Sequence, residues 1–274
     1  MNRIDFDLSH FEEVELVPVA DVHIGNPNCD EESFKKTIDY ILEEPDNPRR
    51  ARVCILNGDL TESVTRNSKG NVFEQTYSPQ TQIAMMIKYL EPLAKTSKKY
   101  PMGKILSYCA GNHDFGRYND TGITSAETIA VKLDLQERFS NDGCYSFVTC
   151  KRIQESGPVG FTVYNQHMTG GASTVGGKAN RVSRISSGII ADIIVGSHVH
   201  TPLTFKEDII VPRFSTRSLT QKTITYVVTN AFLRYSDYAE RAGMKPASIS
   251  VPKIIWRQER TSQRGRTSYV EVVL

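Results

Sequence analysis

Short apolar runs alternate with longer amphipathic stretches through the first two-thirds of the chain. Val14–Ala20, Val53–Leu56 and Ile105–Ala110 are apolar throughout most of their length, the pattern of strands buried on both faces. Between them, Glu31–Glu44 and Gln80–Lys95 carry apolar residues at helical spacing. Phe34, Ile38, Ile41 and Leu42 share one face of the first, and Ile83, Ile87, Leu90 and Leu93 one face of the second. Both stretches run into prolines, Pro45 and Pro101, which suits helix exits. A third helix is predicted over Ser125–Phe139, where Ile129, Leu133 and Leu135 alternate with Lys132, Asp134 and Glu137.

Beyond residue 144 the period changes to that of strands: Tyr145–Thr149, Gly160–Gln166, Ile193–Val195, Ile209–Val211, Thr223–Val228 and Ser268–Val273, with one helix over Asn180–Ile190. A βαβαβ opening followed by a strand-rich half predicts an α/β chain whose two sheets pack together with helices outside. Thr229–Arg266 is less regular and reads as a helix plus a loop returning over the body. Without a linker or a repeat, the expectation is one domain over 1–274, with 229–266 as a C-terminal extension packed on it.

Composition narrows the class only a little. A hydrophobic content of 39% and a charged content of 23% are those of a soluble globular enzyme. A formal net charge of +2 does not announce a nucleic-acid partner. One stretch departs from this balance: Arg241, Lys245, Lys253, Arg257, Arg260, Arg264 and Arg266 face a single acid, Glu259, as a solvated basic edge or a polyanion-binding one. The five cysteines are odd in number, scattered and free of any Cys-x-x-Cys pair, which argues against a disulfide framework and a thiolate zinc site. The opening Met1–Asp7 is unlike a signal peptide, and no apolar run reaches the ~18 residues of a membrane span, so a cytoplasmic setting without membrane attachment is expected.

The chemistry sits where the strand-like runs end. Five of the six histidines fall in short clusters that also carry Gly, Asp or Asn, or stand close to one. In order these are Asp21-Val22-His23, Gly58-Asp59, Gly111-Asn112-His113-Asp114, His167 and Gly196-Ser197-His198-Val199-His200. In open α/β sheets functional groups gather beyond the carboxyl ends of strands, so clusters far apart in sequence converge on one rim. Glycine beside a ligand lets the chain turn sharply and lets backbone come close to an ion. His198 and His200 alternate as in a strand, which puts both imidazoles on one face, toward a cation or toward solvent. Taken together, mixed N and O donors of this kind are what a two-metal hydrolytic site needs.

These residues resemble the calcineurin-like metallophosphoesterase superfamily, whose pattern is Asp-x-His, Gly-Asp, Gly-Asn-His-(Asp/Glu), His and Gly-His-x-His, matched over about residues 14 to 202. One departure is visible, since Ser197 stands where the common form has the Gly directly before His198. The resemblance implies a four-layer α/β/β/α fold of two mixed β-sheets packed as a sandwich and flanked by helices. It also implies two divalent transition-metal ions, Mn²⁺ first, with Fe or Zn²⁺ as the other choices for mixed N/O donors. Asp21, His23 and His200 would hold one ion, and Asn112, His167 and His198 the other, with Asp59 bridging. Such a pair, about 3.5–4 Å apart, acidifies a bridging water for in-line attack on phosphorus. His113, left without a metal, is a candidate for protonating the leaving oxygen, and Asp114 for orienting His113 or fixing the loop. Asn112 and His113 would also touch substrate.

Other residues near these clusters carry open readings. Gly170–Gly177 reads as a flexible loop or a phosphate cradle; Arg117, Lys178, Arg181 and Arg184 as substrate contacts or solvated cations. The expected activity is a metal-dependent phosphodiesterase, with a nuclease as one form. The alternatives are a phosphomonoesterase, including a protein Ser/Thr phosphatase, and a non-catalytic scaffold of the same fold. An open cleft walled by Thr61–Pro79 and Phe115–Thr124, with the basic stretch and Tyr235, Tyr238, Trp256 and Tyr269, would suit a phosphodiester on something large, DNA included. The alternative reading of these aromatics is core.

Overall fold

The computed structural model describes residues 1–66, 72–153, 157–235, 246, 248–261 and 265–274. Among the described residues twelve strands form two sheets: β1 (Asn2–Leu8), β2 (Glu13–Val19), β3 (Arg50–Asn57), β4 (Ile105–Cys109), β5 (Phe139–Ser140), β6 (Gly143–Lys151), β7 (Pro158–Gln166), β8 (Ile193–Gly196), β9 (Leu203–Arg213), β10 (Ser218–Val228), β11 (Lys253–Thr261) and β12 (Gly265–Val273). The first sheet has the order β1-β6-β7-β8-β10-β9, the second β12-β11-β2-β3-β4-β5, six strands each. Strands β2, β3, β4 and β5 run parallel, as do β7, β8 and β10, so their carboxyl ends point the same way within each sheet. This is the α/β sandwich expected.

Side-chain alternation explains the four layers. Successive residues of a strand face opposite sides. Val14 and Leu16 of β2 and Val53 and Ile55 of β3 enter the layer between the sheets, while Val17, Val19, Cys54 and Leu56 enter a second core beneath the helices. Helices α1 (Glu31–Leu42), α2 (Pro79–Ala94) and α4 (Ser125–Lys132) cover the second sheet, after the single turn α3 (Tyr118–Thr121). On the other side, α5 (Val175–Ser183) packs Val182 against Ile194 and Tyr226 of the first sheet. Strands buried on both faces have no polar side, which is why they read as unbroken apolar runs.

Local chemistry sets the helix ends. Asp30 caps α1, accepting from Ser33 N, and Glu31 and Glu32 sit in its first turn, where negative charge meets the helix dipole. At the other end, two buried cations from the second sheet satisfy the free carbonyls: Lys104 donates to Ile41 and Leu42, Arg52 to Tyr40 and Glu43. The third predicted helix stops at Lys132 rather than Phe139, because Asp134 turns left-handed at φ 57° and a short 3-10 turn leads into β5. The fourth starts at Val175, inside the glycine-rich segment read as a loop, because Thr174 caps it by accepting from Gly177 N.

Three strands escaped the sequence pattern, the two-residue β5 at the end of the predicted third helix among them. β1 alternates with only three buried residues, Ile4, Phe6 and Leu8, among acids. β11 lies in the stretch read as helix and loop, but pairs with β2 in the register Trp256↔Val14 and Ile254↔Leu16. That pairing replaces the helix and loop read over 229–266 with a strand at Lys253–Thr261 and locates one of its basic residues. Arg257 falls opposite Glu13, at the far end of β2 from Asp21, about 26 Å away along the strand at ~3.3 Å per residue. There it pairs with Glu271 at 3.1 Å. Arg241, Lys245, Arg264 and Tyr238 lie outside the described residues.

Trp256 is core rather than a nucleic-acid contact. It is 2% exposed and stacks on Phe161 with ring centroids 4.9 Å apart. Trp256→Ala is therefore expected to lower stability by about 3–5 kcal/mol, read as a shift in the urea unfolding midpoint. A shift worth under ~1 kcal/mol would mean that this layer repacks freely. Among the described residues no helix is long and apolar enough to cross a membrane.

Candidate metal centre

The seven candidate ligands all stand just past strand ends: Asp21 and His23 after β2, Asp59 after β3, Asn112 after β4, His167 after β7, His198 and His200 after β8. The second sheet supplies the first four and the first sheet the three imidazoles that follow. Five of them have left-handed backbones: Asp21, His23 and Asp59 at φ 51°, His198 at 83° and His200 at 53°. Each such residue costs roughly 1–2 kcal/mol, and a concentration of them marks a place where geometry outweighs comfort. His198 and His200 are thus in a turn, not in the strand alternation expected. The strain is held in place by pairing of the tails, with Asp21 N donating to Gly58 O, His23 N to Asp59 O and Ile24 N to Leu60 O.

Glycine matters at two of these turns. Gly58 has φ +84°, and a Cβ there would lie 2.6 Å from His167 Nδ1 and 2.7 Å from Gly111 N. A Cβ on Gly111 would meet Asp59 Oδ1 at 2.2 Å.

The donor atoms converge. Asp21 Oδ1 is 3.2 Å from His200 Nε2 and 4.0 Å from His23 Nε2. Asp59 Oδ2 is 3.1 Å from His167 Nε2 and 4.0 Å from His23 Nε2. Asn112 Oδ1 lies 3.0 Å from His167 Nε2, and the His198 and His167 rings are 5.2 Å apart. Among the described residues three sets of three donors have ligand atoms within 4.8 Å of one another: two made of pattern ligands alone, Asp21/His23/His200 and Asp59/His167/His198, and a third, His23/Glu62/His113, that shares His23 with the first. The other oxygen of each carboxylate is occupied: Asp21 Oδ2 accepts from His198 N, Asp59 Oδ1 from His113 N at 2.7 Å.

Whether a cation fits can be tested on the polar atoms themselves. Asp21 Oδ1 and His23 Nε2 are buried and have no hydrogen-bond partner, although each faces other donor atoms of the set. Orphaned polar atoms of this kind are rare in native interiors and call for an occupant. Protonation tells the same story. Burial pulls the His23 and His167 imidazoliums down, but the carboxylates around them more than offset this and raise both pKa values to about 9. Asp59 resists its burial because His167, His23 and His113 hold it below the usual carboxylate range. The acids thus demand positive charge, and metal ions commonly displace such protons. The residues fit a divalent cation pair.

Several residues gain roles the sequence did not suggest. Glu62 Oε2 lies 3.0 Å from His23 Nδ1, and Glu62 O 3.1 Å from His113 Nδ1, so one residue braces two histidines. An acid three positions past Asp59 was the available signal, but loop acids are common. Of the two readings of Asp114, the contacts match the one that fixes the loop: its carboxylate is fully buried and accepts from Gly111 N, Asp59 N and Ser125 Oγ. Burial, with the Asp59 charge beside it, pushes its pKa up to about 6.

The expected substrate cations are mostly committed elsewhere. Arg181 donates to the carbonyls of Thr169 and Gly171, and Lys178 to the Thr201 hydroxyl, so both tie the glycine-rich segment and the turn after His200 to α5. Arg117 has one guanidinium nitrogen buried without a hydrogen-bond partner. The rim stays open at His113 and His200, whose side chains are 29% and 33% exposed.

A two-sheet α/β sandwich with a buried carboxylate–imidazole cluster at the strand ends defines the class. No protein-family model and no curated protein matches the sequence. Among solved structures, the chain is similar to a predicted phosphoesterase from Streptococcus pneumoniae TIGR4, with 8% identity, TM-score 0.37, and 94% of this chain and 98% of that one covered. It is also similar to a Vps29 mutant from Entamoeba histolytica (9%, 0.39, 95% and 99%) and a metallophosphoesterase from Sphaerobacter thermophilus (12%, 0.36, 95% and 88%). Likenesses this loose add nothing to the side-chain geometry, which carries the reading alone.

Proposed function

We propose that this protein is a metal-dependent phosphoester hydrolase of the calcineurin-like type, acting on phosphodiesters. The observation that supports it most is Asp59 Oδ2, one carboxylate oxygen facing both His23 and His167 and so both donor sets. In this reading Asp21, His23 and His200 hold one divalent cation, Asn112, His167 and His198 the other, and Asp59 both. Mn²⁺ is the first choice for these N and O donors. The cations supply Lewis acidity and the positive charge that lets a nucleophile approach a phosphate anion.

The remaining work falls to the chain's own side chains. Glu62 fixes the His23 ring through Nδ1, leaving Nε2 for the cation side. His113 stands edge-on to His23, with centroids 4.5 Å apart, and its Nδ1–H donates to Glu62 O. That leaves His113 Nε2 to hold a proton for the leaving oxygen. Diesters are favoured because Lys178 and Arg181 are tied to protein oxygens, which leaves the second charge of a monoester with fewer partners.

The test is turnover of a bis-aryl against a mono-aryl phosphate with added Mn²⁺. Hydrolysis of the monoester alone would overturn the diester assignment, and neither turnover nor cation uptake would leave a scaffold. His113→Ala is expected to slow hydrolysis by about 10²–10⁴-fold while leaving cation content unchanged, as measured by metal analysis of the purified variant. Loss of half the cation would show that His113 is a ligand instead.

A further inference from the structure

Beneath the site a buried polar chain crosses from one sheet to the other. Ser107 Oγ of β4 donates to Asn165 Oδ1 of β7 at 2.7 Å, and Asn165 Nδ2 to Asn57 Oδ1 of β3 at 3.0 Å. Cys109 Sγ reaches the same Asn57 oxygen, and Asn57 Nδ2 donates to Ser197 Oγ at 3.0 Å. All five residues are essentially without exposure, in the mainly apolar layer between the sheets. The chain ends on His167: Ser197 Oγ is 2.9 Å from its Nδ1, and Asn57 O 3.0 Å from the same atom.

The hydrogens in this cluster are determined by elimination. Ser197 Oγ and Asn57 O are 2.5 Å apart, and a carbonyl can only accept, so the single hydroxyl hydrogen of Ser197 lies between them. No donor is then left to face His167 Nδ1. That nitrogen must itself carry hydrogen, directed at Ser197 Oγ and Asn57 O, and Nε2 is the nitrogen turned to Asp59 and Asn112.

Resting on the cation site proposed above, we infer that Ser197 is a positioning residue: its hydroxyl holds the His167 ring with Nδ1 protonated and Nε2 directed at the second cation. A glycine, which the common pattern has here, offers no such oxygen. Partners behind a ligating histidine set the tautomer and ring plane, and losing one lowers metal affinity by about 10–100-fold.

The experiment is a Mn²⁺ titration of the full chain and of Ser197→Ala, with the His167 Nδ1–H proton followed by NMR in cation-free protein. The expected result is a ~10–100-fold weaker second binding step with the first within about threefold, and faster solvent exchange of the Nδ1 proton in the variant. Two unchanged steps, or two steps weakened alike, overturn the assignment. So does a wild-type His167 whose Nδ1 lacks its proton, a result that needs no folded variant. A wild-type chain that takes up no Mn²⁺ would defeat the cation site itself, while the Nδ1 measurement would still report what Ser197 does to the ring.

Discussion

Asp59→Asn is expected to remove cation binding at both donor sets together and to lower phosphodiester hydrolysis by about 10²–10⁴-fold, the worth of several kcal/mol of transition-state stabilisation. Asp59 Oδ2 is the atom shared between His23 and His167, and an amide at that position brings no negative charge to hold two cations near each other. The substitution is chosen so that the fold survives. Asp59 Oδ1 accepts from His113 N, a bond that an asparagine oxygen can keep. Metal analysis and hydrolysis of a bis-aryl phosphate read the two effects separately. A variant that keeps one full equivalent of cation, or near-normal turnover, would refute the shared position of Asp59.

Gly58→Ala should be as damaging to stability as Asp59→Asn is to chemistry. Any Cβ at residue 58 adopts a left-handed conformation at φ +84° and meets His167 Nδ1 and the Gly111 backbone at under 3 Å. Backbone strain of roughly 1–2 kcal/mol and overpacking of roughly 1–3 kcal/mol point to a loss of about 2–5 kcal/mol. Since domains are stable by only about 5–15 kcal/mol, the urea midpoint should fall sharply. The site should suffer as well, because His167 and Gly111 cannot both keep their places. A midpoint unchanged to within ~0.5 kcal/mol would show that the turn after β3 is looser than its hydrogen bonds indicate.

How much of this was legible along the chain depended on burial. Strands β2, β3, β4 and β8 are buried on both faces and carry apolar runs, so their sequences alone identified them. β1 and β11 resisted, the first for its alternating acids and the second because Arg257 and Glu259 follow a core tryptophan. The basic stretch read either as a solvated edge or as a polyanion-binding one. Its antiparallel pairing with β2 places Arg257 at the opposite end of that strand, a fact of register that composition does not hold.

The donor clusters were legible for a different reason. Metal ligands come from a short menu of residue types, and turns at strand ends require Gly, Asp and Asn close by, so Asp21, His23, Asp59, Asn112, His167, His198 and His200 stood out in one dimension. What holds them does not use scarce residues. Glu62 behind His23, Ser197 and Asn57 behind His167, and Asp114 beneath Gly111 are ordinary polar side chains whose meaning lies in the atom each one touches. The sequence by itself determined which groups can bind a cation and that strands carry them to a common rim. Only the tertiary structure decided which nitrogen and which oxygen face inward, because hydrogen-bond direction depends on neighbours brought together from both sheets.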